Sequence, residues 1–270
     1  MKPRLLPLLL LLLCCLAAAC AAPTAAPTPL PLTLTSPAAV TPSALPDPTG
    51  TFPPAAAPAV TPSELPTYRG ALSAAQRLAL EDAARSFISP TPEKARTAAV
   101  ALGYLGANAN PATMCGPLAL AILQQAGVVD PSFPLVSFYY LNPRPGHDEG
   151  YLEQVFPSAH FEKIERVEPI NGIDFSIDPL YPGDFLYLFA GDSGSFEHML
   201  VVTRVDEEGR AYSVTNINTP YGVVIKEVML YDPAQPGIGQ FYDWTNWENR
   251  MLGRTGYGGF WLWRPLAATP

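Results

Sequence analysis

Four cysteines occur in the 270 residues: Cys14, Cys15, Cys20 and Cys115. The first three fall in or beside an N-terminal leader, so Cys115 is the only thiol of the region that can fold. A lone thiol in an oxidising compartment has no intrachain disulfide to make and needs another explanation. Cys115 opens an apolar run that ends at Gly127 and reads as a helix. The dipole and unpaired N–H groups of a helix start favour a thiolate, and the thiolate is the form that attacks carbon. The competing reading of Cys115 is a small buried hydrophobe. A nucleophilic cysteine needs a base, and the chain offers His147, His160 and His198. His147 sits in the polar turn Pro145-Gly146-His147-Asp148-Glu149-Gly150 and reads as a surface residue. His160 is ambiguous. His198 opens an apolar strand, Met199-Leu200-Val201-Val202, after a Gly/Ser-rich loop, and is the best placed for a cleft.

A hairpin test bears on the third role, the group that orients the imidazole. Asp206-Glu207-Glu208-Gly209-Arg210 fits a three-residue loop with Gly209 left-handed, which pairs Asp206 with Arg210. Counted back along the strand, that register sets His198 opposite Asn218, with Asn216 its diagonal neighbour on the same face. Either asparagine can orient the ring, and a loop one residue shorter or longer would turn both away. No His/Cys pair has metal-ligand spacing and the glycine-rich stretches lack a phosphate-loop pattern, so neither metal nor cofactor is expected.

The elements that must position these groups can be read in turn. Ser73-Ala74-Ala75-Gln76 is a capping-box start for a helix over 74–88, which Pro90 ends. Thr91-Pro92 opens a second helix to about Leu102. The run from Cys115, apolar all round, predicts a buried central helix capped by Thr113. Strands follow at Phe185–Phe189, His198–Val205, Arg210–Ile217, Gly222–Val228 and Phe260–Trp263. Helices first and strands later predict an α+β domain with a largely antiparallel sheet, spanning about residues 68–270. The aromatic residues of the C-terminal 50, including Phe241, Tyr242, Phe260 and Trp263, read as core, with Trp244 and Trp247 candidates for lining a groove.

Ahead of this domain, residues 1–19 have the charged, apolar and small-residue zones of a signal peptide. Ala17-Ala18-Ala19-Cys20 resembles a bacterial lipoprotein signal, which implies lipidation of Cys20 and a membrane anchor. Plain secretion and an uncleaved anchor remain alternatives, and all three place the rest outside the cytoplasm. Residues 21–67 carry 13 of the 32 prolines and only two charges, Asp47 and Glu64. A phrase beginning Val40-Thr41-Pro42-Ser43 returns at Val60-Thr61-Pro62-Ser63. This reads as an extended spacer with a reach of roughly 145 Å at ~3.1 Å per residue. With 16 Lys and Arg against 24 Asp and Glu, the formal charge of −8 excludes a general hold on nucleic acid.

Met114-Cys115-Gly116-Pro117-Leu118-Ala119-Leu120 resembles the helix-starting Cys-Gly-Pro segment of papain-like cysteine hydrolases, C39-like peptidases above all. Tyr181-Pro182-Gly183-Asp184-Phe185-Leu186-Tyr187, followed by His198-Met199-Leu200, resembles the strands of NlpC/P60 and CHAP domains. The resemblance covers about residues 104–220. It implies a papain-like fold, with Cys115 as nucleophile, His198 as base and Asn216 or Asn218 as orienting residue. These families commonly carry a Gln about six residues before the Cys; here that place is Ala109, and Asn110 is the substitute oxyanion donor. The implied activity is cleavage of an amide bond in peptide or peptidoglycan by a monomer. Acyl transfer, and a non-catalytic surface domain of the same fold, are the competing expectations. The stretch at 191–195 also resembles a serine-protease nucleophile loop, but His160 lies only about 33 residues before it, too close for that double barrel.

Overall fold

The computed structural model describes residues 71–103, 111–190, 197–245 and 257–266. The chain divides into two units, Met1–Val60 and Thr61–Pro270, and every described residue lies in the second. The leader with Cys20, the spacer, Asn110, the 191–195 loop and Trp247 lie outside the described residues.

Ser73 caps the first helix, α1 (Ala74–Ser86), through a reciprocal box in which its Oγ accepts from Gln76 N and its own N–H donates to Gln76 Oε1. Leu80, Ala83 and Ala84 of that helix are buried, whereas Leu78 faces out. Thr91 caps α2 (Pro92–Ala101), with Pro92 in the first turn. Between them, Ser89 exchanges both backbone hydrogen bonds with Ile225, tying the helices to the sheet. The central helix α3 (Cys115–Gln125) is buried from Cys115 to Leu123. Thr113 does not cap it. Residues Pro111–Thr113 form a 3-10 turn, and the cap position falls to Met114, which makes no side-chain cap bond. A short helix, α4 (Glu149–Val155), precedes the strands, and residues 240–245 are also helical.

Seven strands follow among the described residues: β1 (Phe161–Arg166), β2 (Phe185–Ala190), β3 (His198–Val201), β4 (Arg204–Val205), β5 (Ala211–Thr219), β6 (Gly222–Tyr231) and β7 (Tyr257–Pro265). They form two sheets, in the orders β1-β7-β2-β3 and β4-β5-β6, and every pair is antiparallel. The domain is therefore α+β. Period-two alternation gives both faces of both sheets an apolar load. Phe185, Tyr187, Met199, Val201, Trp263, Val214 and Ile225 join the core shared with the helices. Leu186, Leu188, Leu200, Val202, Phe260, Leu262, Ile217 and Val224 join a second core on the other side. The two sheets thus act as one curled layer with a core on each face. An aromatic group anchors the helical side: Phe156 stacks on Phe185 at 5.0 Å and on Trp263 at 5.6 Å.

The expected single strand over His198–Val205 is two strands in two sheets. The 204–212 hairpin has the predicted register, Arg204↔Tyr212 and Val205↔Ala211, with Gly209 at φ 80°. One step earlier the alternation breaks. Thr203 N–H donates to Tyr212 O at 2.8 Å, so Thr203 and Arg204 both face Tyr212. That extra residue is a bulge, and a bulge inverts which side chains share a face. Val202 then leaves β5 and exchanges hydrogen bonds with Asp184 and Gly183 beside β2.

Candidate active site

The N-cap residue of α3, Met114, makes no side-chain bond to the first-turn N–H groups. Cys115 is the first residue of that turn and is 8% exposed. The backbone N–H groups of Met199, Gly116 and Cys115 itself each act electrostatically to favour its thiolate. The Met199 contribution follows from strand geometry. Val202 points both its backbone groups at β2. By alternation those of Met199 point the other way, off the open edge of the four-stranded sheet. The thiol therefore rests at the edge of β3, one peptide from His198. Gly116 makes this approach possible: a Cβ there would run into the Phe138 carbonyl and lie 2.8 Å from Met199 Sδ. Burial pushes the Cys115 thiol pKa up and outweighs the three N–H groups, which act to lower it.

His198 opens β3, pairs with Leu188 and is 6% exposed. Its Nε2 lies 2.9 Å from Thr215 Oγ1, and its ring packs 4.8 Å from that of Trp244. Burial lowers its pKa to about 4, so the imidazole is neutral at neutral pH. Among the described hydrogen bonds none joins Cys115 to His198.

The asparagines are not where the straight register puts them. The bulge at Thr203 brings Thr215, not Asn216 or Asn218, onto the face of His198. Asn218 is exposed near the end of β5, opposite Val223. Asn216 is buried and turned to the start of α3. Its Nδ2 donates to Pro111 O at 3.1 Å and to Ala112 O at 2.9 Å. Its Oδ1 is buried without a hydrogen-bond partner. The side-chain hydrogen bond of His198 is thus with Thr215, which a parity argument that allowed for a bulge would have found. Of the other histidines, His147 and His160 are both exposed.

Three further groups stand on the thiol's side. Tyr187, opposite Met199 in the sheet, donates its hydroxyl to Glu197, and Glu197 pairs with Arg144 at 3.1 Å. Arg144 also lies over Phe189, 4.9 Å from the ring centre. Burial first, then the Glu197 hydrogen bond and charge, holds the Tyr187 phenol well above its ordinary pKa. Nothing in the sequence singled out Glu197 or Arg144. Asp184, from the Pro-Gly-Asp segment, is structural. It is fully buried, accepts from Arg264 at 2.7 Å and 3.0 Å and from Tyr181 N at 2.9 Å, and burial raises its pKa against the pull of Arg264. Among the described residues no group of three His, Cys, Asp or Glu could hold a metal, and no helix is long and apolar enough to cross a membrane. Compared with family models, with curated proteins and with solved structures, the chain matches none.

Proposed function

We propose that the chain is an exported, papain-like thiol hydrolase that cleaves an amide bond in peptide or peptidoglycan. The observation that carries this reading is the seat of the only thiol of the folded region. Cys115 opens α3, whose first turn packs at Gly116 against Met199, the residue next to His198, and nearby backbone N–H groups favour its thiolate. In the reaction, Thr215 accepts the Nε2 proton of His198, so Nδ1 carries the lone pair. This chemistry requires the ring to turn from the second-core face of β3, where it packs beside Leu188 and Trp244, so that Nδ1 takes the proton of Cys115 as the sulfur attacks the carbonyl carbon. The Cys115 N–H faces the resulting oxyanion. The imidazolium then protonates the leaving amine, and water, deprotonated by the same ring, releases the acyl group. Lipidation at Cys20 would tether the domain through the 21–67 spacer. Peptidoglycan as substrate follows from the resemblance and the export signal alone.

A non-catalytic surface domain is the second reading. It is favoured by the burial of the thiol and by the engagement of His198 with Thr215 and Trp244. Iodoacetamide alkylation of native protein at neutral pH separates the two. The hydrolase predicts labelling at Cys115 that slows in His198→Ala, and release of peptides from purified peptidoglycan by wild type but not by Cys115→Ala. Labelling only after denaturation leaves the surface domain.

A further inference from the structure

Asn216 belongs to the sulfur's half of the site, and its contacts suggest a role distinct from orienting the imidazole. Resting on the reading of Cys115 as nucleophile, we infer that Asn216 is a positioning residue for that nucleophile. Its carboxamide holds the turn from which α3 departs, and so aims the helix-start N–H groups at the sulfur.

Three observations support this. First, α3 has no side-chain cap of its own, so its point of entry is set from outside the helix. Second, both Nδ2 hydrogens of Asn216 are spent on successive carbonyls of the preceding turn, Pro111 O and Ala112 O. Pro111 O also receives Met114 N at 3.4 Å, so the carbonyl that Asn216 grips is the one that closes the turn into the cap. Third, Asn216 is only 6% exposed and leaves Oδ1 unpaired to make these two bonds. A flipped amide would set its oxygen against two carbonyl oxygens, so the donors must face the turn. The neighbouring Thr215, on the opposite face of β5, holds His198. Consecutive residues of one strand therefore fix the sulfur's turn and the imidazole, and β5 sets their separation.

The test is the pH profile of Cys115 alkylation in the intact chain, read by mass spectrometry on the Cys115 peptide. Variants are admitted when their circular dichroism matches wild type, with Asn216→Ser standing in where Asn216→Ala does not fold. Loss of the two donors in Asn216→Ala and Asn216→Asp is expected to raise the thiol midpoint by about one unit, or about tenfold slower labelling below it. Asn216→Asp should shift at least as far as Asn216→Ala, because it adds a negative charge. Val228→Ala, which opens space in the other core of the same sheet, controls for lost stability and should leave the midpoint in place. An unmoved midpoint in folded Asn216 variants, or an equal shift in Val228→Ala, overturns the inference. His198→Ala keeps the two claims apart. A midpoint that responds to Asn216 but not to His198 sustains the positioning role and removes His198 as base.

Discussion

Burying a histidine as a neutral ring makes the native state acid-sensitive, and the size of that effect follows from His198 alone. In the unfolded chain its pKa is about 6.5; in the fold burial holds it at about 4. Above pH 6.5 both states carry neutral imidazole and this group adds no pH dependence. Between 6.5 and about 4 the unfolded chain binds a proton that the native state refuses, so stability falls as pH falls. Below about 4 the native ring is protonated too and the loss levels off. At about 1.4 kcal/mol per unit, the shift costs about 3 kcal/mol in all, a large share of the ~5–15 kcal/mol of a typical domain.

The perturbation is His198→Gln, which removes the titration and keeps an amide able to reach Thr215. Urea unfolding of both proteins, followed by tryptophan fluorescence, gives the stability difference at each pH. Subtracting one curve from the other cancels every other titrating group, Asp184 included. The expected difference is flat above pH 6.5 and moves by about 3 kcal/mol in favour of the variant by about pH 4. A difference that stays level across this range would show that His198 titrates as an exposed ring, and the argument from burial would fail.

Removing the cation from a buried ion pair strands the anion, so Arg264→Ala should lose about 3–5 kcal/mol in the same urea assay at pH 7, through unpaired Asp184. Gly116→Ala forces a methyl between α3, the Phe138 carbonyl and Met199, and should cost about 1–3 kcal/mol while slowing alkylation of Cys115. Ser73→Ala removes the capping box of α1, far from the thiol. It should cost about 1 kcal/mol by denaturation and leave the alkylation rate unchanged.

Much of the fold was legible because local rules decide it. Ser73 and Thr91 cap the helices they should, and Asp206 to Arg210 turn as their Gly209 requires. The elements missed lack such signals. Helix α4 has seven residues and no side-chain cap bond. Strand β1, Phe-Glu-Lys-Ile-Glu-Arg, does not alternate cleanly. It lies at a sheet edge, where charges such as Lys163 and Glu165 discourage pairing with another chain. In the candidate site, residue types near Cys115 and His198 were readable but the third partner was not. Its identity turns on one residue, Thr203, whose hydrogen bond to Tyr212 is a tertiary choice made where the strand changes sheets. No local pattern marks Thr203 as a bulge, yet it exchanges Thr215 for Asn216.

Burial also decides the order in which a proton and a nucleophile can move. It raises the thiol and lowers the imidazole, so the two pKa values move apart in the sense that disfavours a thiolate–imidazolium pair at rest. In the proposed hydrolase the resting groups would be SH and neutral imidazole, with the proton moving as the sulfur bonds to carbon and the negative charge passes to the substrate oxygen. The Cys115 N–H would then act on charge that develops during the reaction rather than on charge already present. The expected signature is kinetic. With the ring kept neutral down to about pH 4, His198-assisted attack should persist at acidities where an ordinary histidine, with a pKa near 6.5, would already be protonated. Its rate should fall only as pH passes through about 4, and an acid limb near pH 6.5 would mean that substrate reaches a solvated ring.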